Sequence, residues 1–543
     1  MGKSRLLGIG LMLLCAGFSQ AQVNRYIVFF KDKANSNYST TQPIAYLSQA
    51  AIDRRTKNEV LITEQDLPVN GSYIDQVKQT GAQVVHKSKW FNAVLIQVDQ
   101  SIIPSIEALA PVLKVELAAP GQLTGARSNT SYLSTRVNSS TSIKTVAQLD
   151  MLELDSMHAM GLKGEGVKVA VFDSGFPGVN TVSGFAHLQD NILDSYNFVN
   201  NNSNVFVNDD HGTEVLSVMA GFIAGTFAGG AYNADYHLYI TEDVPTEYRI
   251  EEYNWLFAAE RADSVGVDVI NASLGYNTFD NSLMNYTKAQ LDGKTAVVTR
   301  AAQLAAEKGI VVVVSAGNEG GNSWQTITPP ADAVDVIASG SVTSTGTRSP
   351  FSSIGPTADN RIKPDLCAMG SGTFVIRSTG NTGTASGTSV ASPLLASLLT
   401  GLVQHYDTLT RAELIQLVKS TASLSASPNS QLGYGIPNFA KARAKMELIT
   451  DLENPLGKVR FDVFPNPADS GFVYVQARDW QPGSKVLIEL VDMRGTSLQQ
   501  STFSPLQASD KAIIDLSSTP AGVFMIRITS ANHSDIFKIV NVR

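Results

Sequence analysis

The chain has 543 residues, 43% apolar and 17% charged, with 41 Lys and Arg against 49 Asp and Glu for a net charge of −8. This composition excludes a disordered, acidic or coiled-coil chain, and with no long basic run it argues against nucleic-acid binding through phosphate neutralisation. Two cysteines exclude a disulfide scaffold and a Cys-rich zinc or iron–sulfur centre.

Lys3 and Arg5 precede an apolar stretch, Leu6 to Phe18, that is too short to cross a bilayer as a mature helix. Ser19, Gln20 and Ala21 follow, with small residues where a signal peptidase reads, so residues 1–21 are expected to be a secretory signal. The bulky Leu14 before Cys15 argues against a lipid anchor. Loss of Cys15 would leave Cys367 without an internal disulfide partner, and its apolar setting predicts a buried, inert thiol.

Residues 22–120 alternate in a recognisable order. Arg25 to Lys31 reads as a strand, Ile44 to Asn58 and Ser72 to Thr80 as helices, and Ala82 to Val98 as two strands turning near Lys89. A helix over Ser101 to Ala110 and a strand over Val112 to Leu117 complete a split βαβ, ferredoxin-like α+β unit. Residues 121–148 begin with a run rich in Ser, Thr, Asn and Gly, the composition of an exposed, cleavable linker. Residues 149–447 alternate buried strand runs with helical patterns. Val167 to Phe172, His237 to Ile240, Val267 to Asn271, Ile310 to Ser315 and Val334 to Ala338 are strands, and Ile250 to Val265 and Thr299 to Lys308 are helices. This predicts an α/β domain with a parallel sheet covered by helices on both faces. After a connection at 448–460, residues 461–543 show five short alternating strands and read as a small β-sandwich.

Candidate chemistry sits in the α/β segment. Asp173 ends the Val167–Phe172 strand, where an open parallel sheet places functional residues. His211 stands in Asp209-Asp210-His211-Gly212-Thr213, at the start of an apolar helical run. Ser389 stands in Ser386-Gly387-Thr388-Ser389, just before a long apolar helix, where the N-terminal dipole favours developing negative charge. Asn318, in Ser315-Ala316-Gly317-Asn318-Glu319-Gly320, follows a buried strand and can donate to an oxyanion. Each motif alone also fits an ordinary turn or cap. Asp209 and Asp210 lack a second histidine at helical spacing, so no metal is expected there.

Asp173, His211 and Ser389 in that chain order, with the Asn318 loop between, resemble the subtilisin-like serine proteases, and Asp–His–Ser is the order found in subtilisin. Ser273-Leu274-Gly275, Lys363-Pro364-Asp365 and Gly433-Tyr434-Gly435 extend the resemblance. It implies a secreted serine endopeptidase in which Ser389 is the nucleophile, His211 the general base and then acid, Asp173 the orienting carboxylate and Asn318 an oxyanion donor. It also implies that Ser273, Leu274 and Gly275 face Ser315, Ala316 and Gly317 across the pocket for the residue before the scissile bond. The small residues there leave room for a sizeable apolar side chain and argue against a strict Arg or Lys preference, although Glu319 is close enough in sequence to keep that open. No cofactor is needed for this chemistry. Relatives often hold structural calcium, but no Asp-rich loop assigns a site. The longer spacing from His211 to Ala220-Gly221, and Cys367-Ala368-Met369-Gly370 before the serine, suggest a distinct subgroup.

The flanking segments take meaning from the same resemblance. A ferredoxin-like unit before such a domain resembles the inhibitory propeptides of the family, with maturation expected in the linker, where Arg127 and Arg136 are candidates. Phe464-Pro465-Asn466-Pro467, Val491-Asp492-Met493-Arg494-Gly495 and Pro520-Ala521-Gly522-Val523-Phe524 resemble the sorting domains of type IX secretion in Bacteroidota. The expected partners are peptide substrates, the chain's own propeptide and that machinery. A monomer passing through the periplasm to the outside or to the outer-membrane surface is expected. Two other readings remain. A sedolisin-like acid peptidase shares the Gly-Thr-Ser motif but lacks counterparts of His211 and Asn318, and a surface adhesin could reuse a protease fold without catalysis.

Overall fold

A computed structural model describes residues 23–121, 144–453, 461–477, 485–492, 495–504, 510–530 and 533–542. The signal expected over 1–21, most of the 121–148 linker with Arg127 and Arg136, and residues 454–460 lie outside the described residues. The chain divides into two compact units, up to Ala442 and from Arg443 onward.

The first unit opens with strand β1 (Val23–Phe30), helices α1 (Gln49–Lys57) and α2 (Gly71–Gln79), strands β2 (Gln83–Ser88) and β3 (Ala93–Asp99), helix α3 (Ile103–Glu107) and strand β4 (Val112–Ala119). The sheet order is β2-β3-β1-β4, with every pairing antiparallel. The helix expected from Ile44 starts only at Gln49. Ser48 is extended and its side chain accepts the Ala51 N–H, which satisfies the first turn. Alternation assigns the two faces of this sheet. Tyr26, Val28, Phe30, Val94, Ile96 and Val98 pack on the unit's own helices. Ile27, Phe29, Ala93 and Leu95 join the large core of the segment that follows. A sheet buried on both faces explains why β1 is apolar almost throughout.

Two short helices, α4 (Val146–Asp150) and α5 (Leu154–Ala159), lead to β5 (Lys168–Asp173), β6 (Ile192–Asn197), α6 (His211–Ala220), a β7–β8 hairpin (Phe222–Ile223, Phe227–Ala228) and β9 (Asp235–Ile240). Helix α7 (Ile250–Val265), β10 (Val269–Ala272), α8 (Val297–Glu307), β11 (Val311–Ser315), β12 (Ile337–Val342) and β13 (Leu366–Met369) follow. A second hairpin, β14–β15 (Thr373–Ile376, Thr382–Ala385), precedes α9 (Thr388–His405), α10 (Arg411–Thr421) and α11 (Phe439–Glu453). The seven-stranded sheet has order β13-β12-β11-β10-β5-β9-β6 and is parallel throughout. The strand expected over Val334–Ala338 runs instead over Ile337–Val342; Val334 is half exposed and precedes the sheet. Because β5 lies between β10 and β9, the strand order reverses there, and the crevice at its carboxyl end is where such sheets bind ligands.

The N-terminal sheet docks on α7 and α8 through charge as well as apolar area. Asp263 on α7 is fully buried and takes Arg54 at 2.6 Å, Arg55 at 2.9 Å and Lys89 at 2.8 Å. Asp66 pairs with Arg55 at 2.9 Å and with Lys308 at 3.2 Å. Glu260 accepts the Lys89 and Trp90 N–H groups at 2.7 and 3.1 Å.

The second unit is strand-rich. One sheet is β16 (Phe461–Phe464), β17 (Phe472–Ala477) and β20 (Lys511–Asp515); the other is β19 (Ser497–Phe503), β18 (Val486–Val491), β21 (Gly522–Ser530) and β22 (His533–Asn541), all antiparallel. Val473, Val475, Ile488, Leu490, Ile514, Ile526 and Ile539 form its core. β19 was not foreseen, because its Ser-Leu-Gln-Gln-Ser-Thr run is polar on both faces and shows no apolar alternation.

Candidate active site

Strand β5 delivers Asp173 to the switch point, fully buried. Its backbone carbonyl accepts the Thr241 N–H at 3.1 Å, which ties β5 to the end of β9. One carboxylate oxygen, Oδ1, accepts the Ser174 N–H at 2.8 Å and the Ser174 hydroxyl at 3.2 Å. The same oxygen lies 2.7 Å from His211 Nδ1. His211 begins α6, and its own N–H donates to Asp209 at 2.9 Å. Gly212 makes the approach possible. A Cβ there would stand 2.3 Å from the Gly175 carbonyl and 2.8 Å from Asp173 Cβ.

Burial alone would pull the imidazole pKa down. The Asp173 charge, the hydrogen bond to it, and the charges of Asp209 and Glu214 outweigh that and raise His211 to about 9.

Ser389 is the second residue of α9 and is buried. Pro393 lies within the helix and has no N–H to offer the Ser389 carbonyl four residues earlier. That carbonyl takes the Ser273 hydroxyl at 2.7 Å instead. Asn271 holds this bracket together, donating to Ser273 Oγ at 3.1 Å and accepting from Ser392 Oγ at 2.7 Å. The serine is therefore anchored to the end of β10.

Asn318 is oriented by Thr388. Its Oδ1 accepts the Thr388 N–H at 2.8 Å and the Thr388 hydroxyl at 3.1 Å. A backbone N–H can be accepted only by oxygen, so the amide orientation follows and Nδ2 faces the other way. A Cβ at Gly387 would lie 2.7 Å from Ser389 Oγ and 3.5 Å from Asn318 Nδ2. The hydroxyl and the amide donor thus border one small space that only glycine leaves open.

The two wall loops emerge side by side from β10 and β11, which pair in parallel. Ser315 Oγ donates to the Leu274 carbonyl at 3.1 Å, and the Thr328 side chain reaches both Gly275 and Gly317, so that a Cβ at either would meet its hydroxyl within 2.8 Å. Gly317 has φ +103°, outside the range of ordinary L-residues. Ala316 is buried. Glu319 accepts a hydrogen bond from the Asn322 side-chain amide. Cys367 is buried, and desolvation pushes its thiol up to about 12. Among the described residues, no three His, Cys, Asp or Glu side chains are grouped to hold a metal ion, and no helix is long and apolar enough to cross a membrane.

Thr241, Asn271, Thr388 and Thr328 escaped the sequence reading. The one usable signal was Pro393 inside a helical run, which marks a carbonyl in need of another donor.

Comparison with known proteins adds three matches to family models. The Subtilase family matches residues 164–435, the "Peptidase S8 propeptide domain, Bacteroidota" residues 25–134, and the "Secretion system C-terminal sorting domain" residues 462–542. Subtilisin of Bacillus pumilus is 30% identical over 302 residues, covering 54% of this chain and 97% of that protein. Subtilisin NAT of Bacillus subtilis subsp. natto is 30% identical over 283 residues, 51% of this chain and 65% of its own length. The membrane-bound transcription factor site-1 protease of Rattus norvegicus is 29% identical over 307 residues, 55% of this chain and 26% of that protein.

Proposed function

Because this chain belongs to the subtilase family of serine peptidases and carries that family's propeptide domain and a secretion sorting domain, we propose that it is a secreted endopeptidase made as an autoinhibited precursor. Its reaction would be peptide-bond hydrolysis through an acyl-enzyme. The observation that carries this reading is the grouping of Asp173 with His211 on one side, and of Ser389 with the Asn318 amide donor around Gly387 on the other.

Neutral His211 takes the Ser389 proton as Oγ bonds to the scissile carbonyl carbon. Asp173 holds the imidazole with Nδ1 toward it and stabilises the imidazolium. The tetrahedral oxyanion forms in the space bordered by Asn318 Nδ2 and the N-terminal end of α9. Collapse breaks the C–N bond, and His211 returns the proton to the leaving amine. Water then attacks the acyl-enzyme by the same route. The residue before the scissile bond would sit between Ser273–Gly275 and Ser315–Gly317. No cofactor enters these steps.

The N-terminal unit, docked on α7 and α8, would inhibit until it is cut away, and the C-terminal unit would address the chain to type IX export. The test is mass spectrometry of a peptide library incubated with processed wild type and with Ser389→Ala. Cleavage by wild type alone supports the reading; no cleavage by either favours an adhesin.

A further inference from the structure

Several buried carboxylates in this molecule come with cations. Asp263 has Arg54, Arg55 and Lys89, Asp365 has Lys363 and Lys419, and Asp194 has Arg261. Another acidic group has no ion pair among the described residues, and it lies beside Asp173. Thr241, bonded to Asp173, is followed by Glu242, whose carboxylate takes the Tyr276 hydroxyl at 2.5 Å and the Thr241 hydroxyl at 2.9 Å. Tyr276 in turn directly follows the Ser273–Gly275 wall. Glu242 is therefore tied to the residue after the wall through Tyr276 and to Asp173 through Thr241.

Asp243 is 8% exposed. Glu251, at the start of α7, is 1% exposed and accepts the Asp243 N–H at 2.7 Å through Oε1. Its Oε2 is buried and has no hydrogen-bond partner among the described residues. Burial, with the Asp173 charge added, holds the Glu242 carboxyl up at about 7, although nearby His211 opposes this. Burial, with the charges of Glu247, Glu242 and Asp243, pushes Glu251 well above the carboxylate range. The fold concentrates these carboxylates with no ion pair to any of them among the described residues.

A cation does act on Asp243, and it comes from the N-terminal unit. It is Arg25, on β1 opposite Ala119 at the end of β4. That is where the chain leaves the inhibitory sheet toward the linker.

We propose that Glu242, Asp243 and Glu251 form a subsite for a cationic side chain, so that the peptidase selects Arg or Lys N-terminal to the residue held between the two wall loops. The proposal rests on the peptidase reading and gives it a substrate class. A guanidinium supplies paired donors, and one placed here would give Glu251 Oε2 the partner it lacks and let the carboxylates ionise together. Arg25 supplies part of that charge while the N-terminal unit remains docked.

The test uses processed wild type, Glu242→Gln and Glu251→Gln with matched peptides carrying Arg or citrulline at each of the three positions preceding the wall-bound residue. Citrulline keeps the shape and loses the charge. Wild type is expected to favour Arg by roughly tenfold or more in kcat/KM at one position, with the ratio falling toward one in both variants. Equal turnover of Arg and citrulline peptides by wild type overturns the subsite and leaves the peptidase standing. An Arg preference that survives both substitutions, or that lies C-terminal to the scissile bond, also overturns it. So does a calcium-dependent rise in Tm that Glu251→Gln removes in the absence of any Arg preference, which would give the group to a metal ion. No cleavage of any peptide by wild type defeats the peptidase reading itself.

Discussion

His211 carries two opposed dependences on pH. As general base it must be neutral, and its pKa stands near 9 rather than at the ordinary ~6.5. We expect kcat/KM to fall about tenfold per unit below pH 9 and to level off above it, and a profile with its acid limb near 6.5 would show that the Asp173 field does not act as described. Stability should run the other way. A folded-state pKa above the unfolded one stabilises fully below ~6.5 and is lost as pH rises through about 9. Tm should therefore decline across that window as activity climbs, and less so in Asp173→Asn. Gly387 gives a second test at this scale. Its φ is 167°, ordinary extended backbone, so replacement by alanine brings no strain. It brings a methyl 2.7 Å from Ser389 Oγ and beside the Asn318 amide. Gly387→Ala should fold with a near-normal Tm and lose on the order of 10² in kcat, the scale of a lost oxyanion donor; unchanged kcat would place the reacting carbonyl elsewhere.

Among elements, the long apolar strands and the separate glycine-flanked motifs were legible because each is local. Val169 to Phe172 and Val311 to Val314 are buried on both faces and read as such. Asp173, His211, Asn318 and Ser389 could be proposed from glycine-flanked loops at strand and helix ends. Their supports could not. Ser273 matters only because Pro393, more than a hundred residues away in sequence, leaves a carbonyl unclaimed, and Thr388 matters only because Asn318 needs its oxygen held. Such partnerships are set by strand order, which no local pattern encodes. Polar edge segments failed for a related reason: β19 earns its place by pairing with β18, not by burying a face.

At the scale of the whole molecule, the N-terminal unit is held by charges that solvent does not reach. Asp263→Asn would leave Arg54, Arg55 and Lys89 with a partner that cannot balance them, a change worth about 3–5 kcal/mol for a buried pair. Its expected consequence is early release. Size-exclusion chromatography of the cut precursor should show the N-terminal fragment co-eluting with wild type and separating from the variant. Added salt should do little to wild type, since screening acts on exposed charge. The C-terminal unit has a core of its own, so truncation before Phe461 should leave peptidase activity intact while the product collects in the periplasm. Normal export of that truncation would refute the sorting role.

The Asp263 network also constrains how this sequence can drift. Its acid lies in the segment expected to persist after maturation, and three of its cations lie in the segment expected to be discarded. A substitution at 263 is therefore judged during the brief life of the precursor, against positions 54, 55 and 89, and not by any task of the finished enzyme. The mature protein would thus keep, in an acid that no longer has company, the imprint of a partner it has already lost.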